Sequence, residues 1–175
     1  MRLAGRRIAA WLIDWGCILV WVAATAAIGV PLFLGGVITA MNDLALNVIG
    51  AVVVIIPVVL AAAWCESRRS GATPGKRVMG LVVRAGTDRP AFRLALLRNT
   101  LKLGVPWLIG HAAVFAIVSS SGAGDAVPAG VWVLTGLAYL IPIVWVASLF
   151  VGQGRTPYDR ICGTEVVRRT AGAAG

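Results

Sequence analysis

Charge is scarce in this chain. Of 175 residues only 13% are Asp, Glu, Lys or Arg, and only seven are acidic, whereas an ordinary soluble domain carries roughly a quarter charged residues. There are three cysteines and one histidine. That is too few for a disulfide scaffold, and no Cys/His spacing suits a metal site. The low hydrophobicity that disorder requires is missing as well, because 59% of residues are apolar and the mean hydropathy is +0.87. These absences exclude a water-soluble globule, a disordered chain and a small disulfide-stapled domain. The formal net charge of +9 could signal nucleic acid. On so apolar a chain, however, a basic surface matches anionic lipid headgroups, and no nucleic-acid partner is expected.

The few charges are segregated. None occurs between Asp14 and Asp43, Asp43 and Glu66, Lys102 and Asp125, or Asp125 and Arg155, leaving gaps of 28, 22, 22 and 29 residues. A helix needs about 20 apolar residues to cross a hydrocarbon core. Four spans are predicted over residues 8–33, 44–64, 103–118 and 131–151. The third is the shortest and carries Pro106 and His111 before Ser119, Ser120 and Ser121. A cleaved signal peptide fits the first segment poorly, because Asp14 interrupts the apolar run and the run exceeds a signal core.

Lys and Arg are held on the cytoplasmic side during insertion. All sixteen precede span one, lie in residues 65–102, or follow span four. Both termini and the middle segment are therefore expected in the cytoplasm, giving a multi-pass protein of a bacterial inner membrane. A three-span topology would strand basic residues outside. Cys17, Cys65 and Cys162 then fall in the membrane or cytoplasm, where thiols stay reduced.

The two long cytoplasmic segments repeat each other. Gly71-Ala-Thr73-Pro-Gly75-Lys76-Arg77-Val-Met-Gly80 and Gly154-Arg-Thr-Pro-Tyr158-Asp159-Arg160-Ile-Cys-Gly163 both fit G-x-T-P-x-x-R-[VI]-x-G, and each leads into Val-Val-Arg, with one extra residue in the second copy. Each follows a pair of spans. The predicted fold is an all-α membrane protein, a four-helix bundle within a single 1–175 domain, built from two parallel helix-hairpin repeats about a pseudo-two-fold axis along the membrane normal. Thr-Pro and the later Gly are turn chemistry and Val-Val-Arg is β-prone, so residues 80–84 and 164–168 are expected to be extended and to pair. The first copy is not a P-loop: three residues, not four, separate its glycines, and Arg77 follows Lys76. Residues 91–102 mix leucines with Arg93, Arg98 and Lys102 and read as an interfacial helix on anionic headgroups.

Polar residues inside the membrane carry the functional signal. Asp14 lies about 9 Å into span one, where an ionised Asp costs on the order of 2.5–3.5 kcal/mol. It needs a partner, a proton or water. Arg7, two turns earlier, is too distant for contact, so another helix or an Arg of the cytoplasmic motifs is expected to meet it. His111 is placed at similar depth in span three, where packing through a neutral ring and proton exchange with a carboxylate are both open. Pro57, Pro106 and Pro142 could free carbonyls within spans two, three and four. Trp11, Trp15, Trp64 and Trp107 read as interface anchors.

Arg7-Ile-Ala-Ala-Trp-Leu-Ile-Asp14, the Gly71–Val83 block and Tyr158-Asp-Arg-Ile-Cys-Gly-Thr164 together resemble the RDD family of small membrane proteins, in that order and over nearly the whole chain. The resemblance implies that the signature Arg and two Asp are Arg7, Asp14 and Asp159. Tyr158 departs from it, since the family often has His beside that Asp. A role in transport, including cation/proton exchange for some members, is what the resemblance implies for function. The placement of Asp159 in a cytoplasmic turn favours a structural ion pair, expected with its repeat mate Lys76 or with Arg77. The resulting expectation is a transport module for protons, monovalent cations or a small solute, acting as a homo-oligomer or with a larger membrane partner. The alternative is a non-transporting accessory subunit. No nucleophile/base pair or cofactor fingerprint occurs, so neither an enzyme nor a bound cofactor is expected.

Overall fold

The computed structural model describes residues 3–37 and 42–169. Arg2 and residues 170–175, which entered the topology reading, lie outside the described residues. Four helical stretches are long and apolar enough to cross a membrane: Leu3–Leu34, Leu44–Ser67, Phe92–Ala123 and Ala129–Ser148.

The first span is one helix, α1 (Leu3–Leu34), with Pro31 in its last turn. The second is composite: α2 (Asp43–Gly50), a π turn (Ala51–Ile55) and α3 (Ile56–Ser67). Asn42 starts it by accepting the Ala45 N–H at 2.8 Å, the usual cap for otherwise unsatisfied first-turn donors. The π turn sits just before Pro57, which has no N–H to give back to the preceding turn. The carbonyl of Val53, four residues earlier, instead accepts the Trp21 indole N–H at 3.1 Å. The same device recurs in span three, where α5 (Phe92–Asn99), a π turn (Thr100–Gly104) and α6 (Val105–Ala123) form a continuous helix around Pro106. The last span is α7 (Ala129–Ser148).

Two boundaries need correction. Span three is not a short 103–118 segment preceded by a separate interfacial helix. Residues 92–102 are its first turns, and Ala95, Arg98 and Asn99 on them are buried, because polar partners on other elements take up their charge. The fourth helix ends at Ser148, three residues before the expected 151, and the chain then turns through Gly152 and Gly154, both at positive φ.

The repeated motifs adopt matching local structure at one end of the bundle. Each forms a single helical turn, α4 (Pro74–Val78) and α8 (Pro157–Ile161), entered through extended Thr73 and Thr156 with Pro at the first turn. Each is closed by a glycine at positive φ, Gly80 at 66° and Gly163 at 58°, the left-handed geometry that only Gly adopts without cost. β1 (Leu81–Arg84) and β2 (Glu165–Arg168) then pair antiparallel, with Val82 opposite Val167 and Val83 opposite Val166. Exchanging the two Val-Val-Arg copies maps this ladder onto itself, as a local two-fold axis requires.

Packing follows the same division. Ile18, Ile55, Val59 and Leu103 form a core among the first three spans, and Ala10, Leu81, Val83 and Val166 form a second one between α1 and the strands. Outward faces stay apolar, with Ile28, Val114, Tyr139 and Ile143 all more than half exposed. Helices apolar on both inner and outer faces suit lipid rather than water.

Candidate functional site

Where the motifs meet the bundle, five charged side chains form an alternating chain. Lys76 donates to Glu66 Oε1 at 2.8 Å. Glu66 also accepts Arg98 Nη1 at 2.9 Å on both oxygens and Asn99 Nδ2 at 2.8 Å. Arg98 turns its other edge to Asp159 Oδ1, with Nε at 2.9 Å and Nη2 at 2.7 Å. Asp159 ends the chain on Arg7 Nη2 at 2.6 Å. Glu66, Asp159 and Asn99 are fully buried and Arg98 is 1% exposed. Desolvating so many charges is tolerable only because every one is paired and further hydrogen-bonded. Burial alone would raise the carboxyl pKa of Asp159. Arg98 first, and Arg7 after it, outweigh that effect and hold the carboxyl below the usual range.

Asp14 is held separately. Its Oδ2 accepts the Thr73 hydroxyl at 2.6 Å and its Oδ1 the Gly75 N–H at 2.8 Å, so it caps the first turn of α4 from another helix. Its partners are a hydroxyl and an amide of the first motif, not an Arg. Gly75 is required by contact: a Cβ there would run into the Ala10 carbonyl and reach Asp14. Arg7 additionally donates to the Gly154 carbonyl at 2.6 Å. Helix α1 therefore grips the first motif through Asp14 and the second through Arg7.

The expected pair between Asp159 and Lys76 or Arg77 does not form. Each motif turn faces the spans instead of its mate, so Lys76 meets Glu66, while Arg77 lies on the surface against Ser70 and the Ala72 carbonyl. Among the described residues the two mates are linked through Glu66 and Arg98. Arg160 and Gly163 are exposed. Tyr158, at the position where His is common, is buried with its ring 5.1 Å from Trp145 and the Arg98 guanidinium over its face at 5.1 Å.

Beside this network a cavity of about 430 Å³ opens between α1 and the α6–α7 pair. Asp14 and His111 both line it, without contacting each other. His111 lies between Trp107 and Phe115, and its buried Nδ1 has no partner, pressed towards Gly50 where a Cβ would come within 3.0 Å. Trp11, Trp15 and Trp107 follow one another along one wall at centroid spacings of 5.7 Å, Trp11 edge-on to Trp15. Trp64 is exposed, with Arg68 over its ring. Among the described residues, no three His, Cys, Asp or Glu come together as a metal-holding group.

Sequence reasoning missed Glu66, Arg98, Asn99 and Lys102 as members of this site. Glu66 had a legible signal: it is the first charge after a 22-residue apolar gap, where an acid has no role in orientation. Arg98 and Lys102 were hidden among topogenic cations.

No curated protein and no solved structure matches the chain. The family model described as "RDD family" matches residues 2–163, which takes in the α1 grip, both motif turns and the whole buried ion chain. The chain belongs to the RDD family.

Proposed function

We propose that the chain is a small transport module whose working site is the cavity between α1, α6 and α7, moving protons, monovalent cations or a small solute. One observation carries the reading. A half-buried carboxylate, Asp14, lies on the wall of a membrane-level cavity, while the fully buried Glu66 and Asp159 beside it are paired with cations. Intramembrane ionisable groups next to a cavity mark pathways more often than packing. The charge distribution supports an orientation with both motifs and both termini in the cytoplasm of a bacterial cell. Four helices enclose little space, which supports a homo-oligomer or a larger membrane partner.

The test is flux in proteoliposomes, comparing wild type with Asp14→Asn. Asn keeps an acceptor for Gly75 and so separates charge from architecture. Cation-stimulated proton flux present in wild type and lost in the variant supports the reading; equal flux from both removes Asp14 as the carrying group. The accessory reading is favoured by a different observation, that both Asp14 oxygens are already taken up by the α4 turn. Co-purification of one stoichiometric membrane partner, with no flux from the protein alone, would support that reading instead.

A further inference from the structure

The cavity has one polar end and a long apolar remainder. Four cations line it: Arg7, Lys76, Arg98 and Lys102. The first three are committed to Asp159, Glu66 and backbone oxygens. Among the described residues Lys102 has no hydrogen-bond or ion-pair partner. Its electrostatic neighbours are Lys76, Glu66, Arg98 and Asp14, and the three carboxylates Asp14, Glu66 and Asp159 leave the four cations with one positive charge in excess. On the same wall Trp15 keeps a buried indole N–H without an acceptor. An unmatched ammonium at the edge of an apolar cavity is costly unless it gives up its proton or an anion completes it.

The shape narrows the ligand. The wall contributed by span three runs from Arg98 to Ile117, about 28 Å at the helical rise of 1.5 Å per residue. Spread over that length, about 430 Å³ makes a long, narrow slot, which suits one extended hydrocarbon chain better than two. The volume falls in the range of about 300–1,000 Å³ typical of small-molecule sites.

We propose that this cavity binds a single-chain amphiphilic monoanion, its acidic headgroup on Lys102 and its chain along the tryptophan wall towards Thr135 and Ile117. The proposal rests on the cavity being the working site and gives it a ligand class. Binding is measured at equilibrium, so it stands or falls separately from flux.

Trp11, Trp15, Trp107 and Trp145 line the cavity, so tryptophan quenching by 9,10-dibromostearate, measured on the full chain in detergent, reads occupancy directly. Wild type should show a saturable quenching phase that the uncharged methyl ester lacks. Lys102→Gln should weaken it at least tenfold, and Lys102→Arg should hold it within about threefold. Thr135→Phe, which blocks the far end and leaves the charge in place, should also weaken it. Superimposable curves for wild type, Lys102→Gln and Thr135→Phe, or equal saturable quenching by the ester, would overturn the proposal. Dibrominated phosphatidylglycerol supplies the competing source of an acidic headgroup. Lys102-dependent quenching by it, with none by dibromostearate, would also overturn the single-chain assignment.

Discussion

Arg7 donates to Asp159 at 2.6 Å across a sequence separation of 152, joining the start of the first helix to the last motif turn. With 9% and 0% side-chain exposure, the pair is shielded from solvent. A shielded pair behaves differently from a surface one. Removing one partner strands the other as a buried charge, at a cost of about 3–5 kcal/mol, whereas exposed pairs contribute about 0–1 kcal/mol.

The first prediction concerns this pair. Asp159→Asn, which strands Arg7, should lower stability by about 3–5 kcal/mol in denaturant titrations in detergent, and Arg7→Gln, which leaves Asp159 on Arg98, by less. The double variant should cost well below their sum, since each change already removes the contact. Additive losses would show that the two side chains act independently.

Glu66 provides the second. It accepts from Lys76, Arg98 and Asn99, so Glu66→Gln should be among the most damaging acid substitutions, at about 3–5 kcal/mol. Asp125→Asn, on an exposed turn, should stay within about 0.5 kcal/mol. The same denaturation series checks both.

A third prediction separates the two roles of Asp14. As a cap, it should cost about 1 kcal/mol when changed to Ala and less when changed to Asn. Gly75→Ala should be worse than either, because the new methyl meets backbone of α1 that cannot give way. Protease protection of the motif region would report this as local release of α4.

The pH dependence of stability follows from Asp159. Its folded pKa lies below its unfolded value, about 3.9. Its contribution is thus fully present above pH of about 4 and is lost as pH falls through the lower folded value. Thermal midpoints should be flat in this respect between neutral pH and pH of about 5 and should decline in more acid solution. In Asp159→Asn the Asp159 part of that acid limb should vanish.

The spans were legible because insertion segregates charge along the sequence, and that pattern survives without any tertiary information. The paired strands were legible from the repeated Val-Val-Arg, whose β-branched residues suit a half-buried ladder. The ion chain was not. Arg98 and Lys76 look like the topogenic cations around them until the fold places Glu66 between them. The failed pairing of Asp159 with Lys76 has a related cause. Symmetry puts repeat mates in equivalent surroundings, and equivalence does not make them neighbours. Asp14 was located correctly as a residue in need of a partner, yet a backbone amide of a five-residue turn leaves no trace in sequence.

The alternating chain from Lys76 to Arg7 also bears on biosynthesis. Lys76 finds Glu66 within the first half of the protein and Arg98 finds Asp159 within the second, but Arg7 has no acid of its own until residue 159 has been made. A product released early retains an uncompensated arginine at the mouth of its first helix. Completion of synthesis is thereby recorded in whether Arg7 has its carboxylate partner.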